Sequence, residues 1–260
     1  MEPKNVNFDV KNGIGFLTID RPKAMNALNV ETIEEIRLHV REVKESGSIR
    51  ALIITGAGEK AFVAGADITE IRQLGLKDGF DAMRKGHLMT NELETVGVPT
   101  IAAVNGLALG GGCEIALSCS LRLVTENSKF GFPEVGLGVI PGYGGTQRLS
   151  RLIGKGRALW YLLTGEMIDS DRAVEMGLAN LKVKAEELIE KCTEIANKIA
   201  SKGPFAVKAL LCAVNQGFET DLQTALVLEA SMCNLALASE DKKEGINAFF
   251  EKRKPVFKGE

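Results

Sequence analysis

The sequence predicts an α/β fold with a helical C-terminal region, and three observations carry that reading. Ala51–Thr55, Thr100–Val104 and Leu121–Thr125 are short apolar runs suited to strands buried on both faces. Segments with apolar residues at helical spacing separate these runs. Beyond about residue 155 the pattern turns helical.

Taken in order, Val6, Phe8 and Val10 alternate with polar residues, and Gly13 separates them from Ile14–Ile19, which reads as strand, turn and strand. Arg21-Pro22 ends the pair. Asn29 is placed to cap a helix carrying Ile33, Ile36, Val40 and Val43, with Gly47 as its stop. Ile71–Val96 reads as a second long helix, and Gly112–Ser118 as a short one between two buried strands. Further helices are expected over Gly156–Thr164, Ser170–Met176, Glu186–Ser201, Pro204–Asn215, Leu222–Ala238 and Lys242–Lys252. Gly203-Pro204 is the clearest punctuation, so the chain divides into a core over 1–200 and a C-terminal helical region over 201–260. No repeated sequence unit or low-complexity segment is evident.

Composition narrows the function. The 260 residues are 45% hydrophobic and 25% charged, ordinary globular usage, with a formal net charge of -2. The lack of a dense Lys/Arg run argues against a large nucleic-acid or anionic-membrane face, and leaves room for a local basic patch that takes a phosphorylated ligand. No apolar run is long enough for a membrane span, and MEPKNVNFDV lacks a signal-peptide layout. The odd set of five cysteines (Cys113, Cys119, Cys192, Cys212, Cys233) reads as reduced core thiols of a cytoplasmic protein. With only His39 and His87, a histidine-ligated metal site has little material, and no metal is expected.

Glycine is dense at Gly56–Gly58, Gly65, Gly110–Gly112 and Gly142–Gly145. A phosphate loop would end in Gly-Lys-Ser/Thr, and none does. The dinucleotide pattern is only approached, by Gly136-Leu137-Gly138-Val139-Ile140-Pro141, which Pro141 spoils. Gly110–Gly112 is more informative. It follows a buried strand and opens the helix holding Glu114, so free N–H groups and the helix dipole favour negative charge there. Taken alone, these glycines equally fit a tight turn, and Glu114 a helix-dipole partner.

The combination is more specific. Phe62-Val63-Ala64-Gly65-Ala66-Asp67-Ile68 is followed by Ala103-Val104-Asn105-Gly106 and Gly110-Gly111-Gly112-Cys113-Glu114. Then come Phe130-Gly131-Phe132-Pro133-Glu134 and the stretch from Gly138 through Gly142, Gly144, Gly145 and Arg148 to Leu149. In order and spacing these four motifs resemble the enoyl-CoA hydratase (crotonase) family, from about Gly13 to Lys254. The resemblance implies a spiral of ββα units with a C-terminal helical region used in trimers, which commonly stack as hexamers. It implies hydration of a trans-2-enoyl-CoA thioester, with coenzyme A as part of the substrate and no separate cofactor.

Residue by residue, the resemblance implies an oxyanion hole from the N–H groups of Ala66 and Gly111, and an acid/base pair in Glu114 and Glu134. Glu114 would activate water and Glu134 would protonate the alpha carbon, a role that needs its pKa raised; Phe132 and Val135 would supply an apolar setting. Coenzyme A and substrate contacts fall on Lys23, Ala24, Met25, Ala64, Gly65, Asp67, Ile68 and Pro133. Phe249 and Lys252 match positions that cover the adenine and its phosphate, often across a subunit boundary. Arg72–Val96 is expected to line the acyl pocket, and short chains are favoured. Three positions depart from the family pattern: Ser120 for a usual Asp, Cys233 for a common aromatic, and Tyr143 for a small residue. The nearest rivals are double-bond isomerisation, which mostly needs one principal acid/base residue, and dienoyl-CoA hydratases or hydrolases of aromatic pathways. An RNA-binding relative is the rival from another class, and no Lys-rich helix supports it.

Overall fold

A computed structural model describes residues 4–260. Strands β1 (Val6–Lys11) and β2 (Ile14–Ile19) form an antiparallel hairpin. Its turn, Asn12-Gly13, takes positive φ at both residues (52° and 76°), the geometry that matches strand twist in a two-residue hairpin. A 3-10 turn at Pro22–Ala24 leads to α1 (Val30–Ser46). The Asn29 side chain caps α1 by accepting from the Thr32 N–H at 2.9 Å, and Gly47 closes it at φ 62°.

Three ββα units follow. Strands β3 (Ala51–Gly56) and β4 (Ala61–Val63) lead to α2 (Ile68–Ile71) and α3 (Leu76–Glu94). Strands β5 (Thr100–Val104) and β6 (Leu107–Leu109) lead to α4 (Gly111–Ser118). Strands β7 (Leu121–Thr125) and β8 (Lys129–Gly131) lead through a 3-10 helix at Pro133–Leu137 to α5 (Gly145–Ile153). Then come α6 (Lys155–Thr164), β9 (Ile168–Asp169), α7 (Ser170–Glu175), β10 (Leu181–Val183), α8 (Leu188–Ala200), α9 (Pro204–Gly217), α10 (Leu222–Leu237) and α11 (Glu240–Phe250).

The first strand of each unit enters a sheet of order β1-β2-β3-β5-β7-β10, parallel apart from the hairpin. The second enters a smaller sheet, β4-β6-β8-β9. The repeat is therefore structural: β4, β6 and β8 are three residues each, too short to show a period, and the helices after them differ in length. Alternate residues of the large sheet serve two cores. Leu52, Ile54, Ala102 and Val104 face the cluster that includes α1, α3 and α4, while Ala51, Ile53, Ile101 and Ala103 face Leu188, Cys192 and Ala196 of α8.

Several expectations change. The helix expected over Ile71–Val96 is split: Asp67 caps the short α2, and extended Gly75 starts α3 afresh. Helix α5 was not foreseen from the glycine-rich stretch, and Cys212 and Cys233 are not core thiols. Cys212 on α9 is half-buried, and Cys233 is exposed on α10, which buries no residue. Helices α9–α11 instead present Leu210, Val214, Phe218, Val227, Leu235 and Phe250 to solvent. Among the described residues, no single helix is long and apolar enough to cross a membrane.

One buried amide fastens the first unit. Asn26, 1% exposed, donates to the carbonyls of Ala57 (3.0 Å) and Ala61 (2.8 Å) and accepts from the Arg21 N–H (2.9 Å). Asn26→Ala strands those groups, and a loss of about 1–3 kcal/mol is expected in urea unfolding.

Candidate active site

The site begins where β4 and β6 end. Gly112 packs so close to β4 that a Cβ would overlap the Val63 carbonyl, and Gly65, at φ 95°, lies beside the Leu109 carbonyl. The segment after β4 is laced to the chain after the first hairpin. Ala64 N–H donates to Met25 O (3.1 Å), Leu28 N–H to Gly65 O (2.8 Å) and Asp67 N–H to Leu28 O (2.8 Å). This pattern turns the Ala66 N–H away from Leu28. The Gly111 N–H lies in the first turn of α4, ahead of any intrahelical acceptor. Among the described residues, neither N–H has an acceptor. Two small residues on neighbouring segments thus leave backbone donors free, one of them at a helix N-terminus.

Glu114 sits in that same first turn and is 1% exposed. Its Oε1 accepts from the N–H groups of Tyr143 and Gly145, both at 2.7 Å. Burial pushes its pKa up to about 7; the two N–H bonds oppose the rise, and nearby Glu134 adds to it. Two bonds to a charged group contribute roughly 1.5–3 kcal/mol each. Desolvation of a carboxylate costs several kcal/mol and outweighs them.

Glu134 reaches the same place from the 3-10 helix after β8. Its Oε1 lies 2.5 Å from where a Gly110 Cβ would stand, and its Oε2 is buried with no partner among the described residues. Burial raises its pKa as well. Gly110 is required twice, for this approach and for its own φ of 45°. The apolar wall comes from Phe132, buried against Gly145 beside Glu114; Val135 is exposed and does not enclose the site.

The sequence reading missed the parts that hold Glu114. These are the N–H groups of Tyr143 and Gly145, and the clamp behind them. Thr90 Oγ1 (3.0 Å) and Arg148 Nη1 (3.2 Å) donate to the Tyr143 carbonyl, and Arg148 pairs with Glu94 at 2.8 Å. The only signal was the glycine density of 142–145: a Cβ on Gly145 would stand 2.6 Å from Phe132 and 3.0 Å from Glu114. The Tyr143 ring lies across Gly86 of α3 and 3.2 Å from a Cβ position on Gly111, so α3 packs against the turn that holds Glu114.

Of the other expected contacts, Lys23 is exposed on the 3-10 turn, Ala24 and Met25 are half-buried, and Ala64 and Gly65 line the laced segment. Asp67 is occupied: it caps α2 through Thr69 and pairs with Arg21 at 3.2 Å. Ile68 and Pro133 are exposed. Phe249 is 78% exposed, edge-on to Phe250 at 5.7 Å. Among the described residues, no hydrogen bond or ion pair joins Phe249 or Lys252 to Lys23–Met25 within one chain. Ser120 bonds to Thr100 on both sides: its N–H donates to Thr100 Oγ1 at 2.8 Å, and its Oγ accepts from the Thr100 N–H at 3.3 Å.

The raised pKa of Glu114 has a consequence for stability. The unfolded chain ionises this group near 4.5 and the folded chain only near 7, so the folded state holds the extra proton between them. Its contribution is fully present below about pH 4.5 and is lost as pH rises through 7. Glu114→Gln is therefore expected to gain stability over the native chain at pH 8, by on the order of 3 kcal/mol at most, and not at pH 4.5. Urea unfolding at the two pH values checks this.

Comparison with known proteins agrees with this geometry. The enoyl-CoA hydratase/isomerase family profile matches residues 9–260. The chain is 46% identical over 254 residues to a short-chain-enoyl-CoA hydratase of Clostridium acetobutylicum, covering 98% of this chain and 97% of that one. It is 45% identical over 257 residues to a crotonyl-CoA hydratase of Syntrophomonas wolfei, covering 99% of each. The crystal structure of an enoyl-CoA hydratase from Bacillus anthracis superposes with a TM-score of 0.96 at 39% identity, covering 99% of this chain and 100% of that one. The chain has the crotonase fold and belongs to the enoyl-CoA hydratase/isomerase family.

Proposed function

We propose that this protein reversibly adds water across the double bond of a short-chain trans-2-enoyl-CoA thioester, giving the 3-hydroxyacyl-CoA. The observation that carries the reading is the pairing of the buried Glu114 and the half-buried Glu134, whose Oε2 is buried, with two free backbone donors. Isomerisation needs one principal acid/base group; hydration uses two.

In this reading the thioester oxygen sits between the N–H groups of Ala66 and Gly111. Negative charge builds there as the enolate-like state forms, and loss of one such donor costs about 2.7–4 kcal/mol. Glu114, its Oε1 fixed by two N–H groups, uses Oε2 to orient water and take its proton as the oxygen bonds to the beta carbon. Glu134, protonated, delivers its proton to the alpha carbon from the buried Oε2. The proton taken up by Glu114 then returns to Glu134, so one water supplies both added groups.

The CoA moiety is assigned to Lys23, Ala24, Met25, Ala64, Gly65, Ile68 and Pro133, with Asp67 positioning the segment through Arg21. Phe249 and Lys252 are assigned to the adenine end of a neighbouring subunit's substrate. The exposed apolar faces of α9–α11 support assembly into trimers and hexamers. Five unpaired cysteines fit a cytoplasmic location. No separate cofactor, metal or nucleic acid enters the proposal.

Short chains are favoured because the Tyr143 ring fills the space between Gly86 and Gly111. Crotonyl-CoA hydration, followed by loss of the conjugated thioester absorbance, is the direct test. Glu114→Gln and Glu134→Gln should each lower kcat by about 10²–10⁴-fold; near-native turnover in either would remove that residue from the mechanism. Tyr143→Ala should raise kcat/KM for eight- to ten-carbon enoyl-CoA relative to crotonyl-CoA by about tenfold, within the range for methylene discrimination. An unchanged ratio would clear Tyr143 of any part in chain length.

A further inference from the structure

A second concavity lies at the opposite end of the large sheet. Arg50 and Pro99, which border it, immediately precede β3 and β5, whereas the free donors and the carboxyl pair follow the ends of β4, β6 and β8 in the smaller sheet. None of the residues that line it belongs to the carboxyl pair, the free donors or the groups that hold them. The cavity measures about 230 Å³ and is built from four stretches of chain: the turn after α1, the turn after α3, the end of α8 running into α9, and the tail.

Its charged lining is all of one sign. Lys44, Arg50, Lys202, Lys208 and Lys258 border it, and no Asp or Glu does, in a chain whose net charge is -2. Among the described residues, none of the five has a carboxylate within ion-pair distance. Arg50 is half-buried, and its guanidinium makes no hydrogen bond among the described residues. The tail is fastened so that Lys258 stays at the rim: the buried Asp241 carboxylate accepts the N–H groups of Lys258 (2.7 Å) and Gly259 (2.9 Å). Asp241 is thereby spent on backbone. Glu260 gives its carbonyl to the Asp241 N–H and does not line the cavity. The first turn of α9 opens on the same space, adding the positive end of a fourteen-residue helix.

Five cations border one concavity with no carboxylate in its lining, and a bound polyanion relieves their mutual repulsion. Pockets for drug-sized ligands run from about 300 to 1,000 Å³, so the space suits a compact anion better than a whole nucleotide. We propose that this cavity is a binding site for a small phosphate-bearing polyanion of about the size of inorganic pyrophosphate, separate from the acyl-CoA site. Because its walls come from both the core and the C-terminal region, occupancy would fasten α9 to the core.

The test is calorimetric titration of the full chain with inorganic pyrophosphate, in saturating coenzyme A so that the acyl-CoA site is blocked. The proposal expects one saturable site per chain at about 0.02 M salt, weakened steeply at about 0.5 M. The double variant Arg50→Gln/Lys208→Gln should bind about tenfold or more weakly, from loss of charge-assisted contacts. Lys44→Gln/Lys258→Gln, on exposed side chains, gives a second reading should the Arg50 change disturb folding. Absence of saturable binding, or affinity unchanged in both double variants, overturns the proposal. The readout is binding alone, so failure of the hydratase reading would leave this result interpretable.

Discussion

The active site depends on a buried carboxylate held by backbone. Glu114 lies in the interior, where ionisation is costly, and two N–H groups from the Tyr143–Gly145 turn stabilise its charged form enough to keep it near the midpoint of titration at neutral pH. Every neighbouring feature serves that contact. Gly145 has no side chain because Phe132 and Glu114 occupy the space; Thr90 and Arg148 pin the Tyr143 carbonyl so that its N–H points inward. The site is thus tuned by a balance: desolvation alone would leave Glu114 neutral, and a third donor would leave it a weak base.

The ββα spiral explains why such a balance can be built here. Stacking the units brings the ends of β4, β6 and β8 side by side. From those ends come Ala66, Gly110–Glu114 and Glu134 respectively. Three turns of chain, distant in sequence, therefore converge without a long loop, and close approach is bought with glycine at 110 and 112. Charge on the substrate oxygen meets backbone donors that need no reorganisation, which is where electrostatic catalysis gains most.

Much of this was legible in the sequence, and the rest was hidden for physical reasons. Thr100–Val104 and Leu121–Thr125 announce themselves as strands because both faces are buried, and Asn29 announces a helix start because an N-cap needs a short polar acceptor. The three-residue strands carry no period, so the second sheet was invisible. Glu114 and Glu134 were ambiguous singly and became a pair through four motifs in register. The donors that hold Glu114 are main-chain N–H groups, which all residues but proline carry, so only the glycines of 142–145 hinted at them. Asp67 was expected at the ligand, yet its carboxylate serves Thr69 and Arg21. The exposed face of Phe249 could not be read from composition, because apolar residues on α9–α11 look the same whether they face a core or another subunit.

The central claim is that the two glutamates act as one unit on a shared water and proton. A double-variant cycle on crotonyl-CoA hydration tests it most directly, with Glu114→Gln, Glu134→Gln and the two together assayed at one pH. Groups acting as a unit are non-additive, so the double variant should lose about as much kcat as the worse single variant, within roughly tenfold. Losses that multiply, with the double variant falling by the product of the two, would show independent contributions and contradict the account.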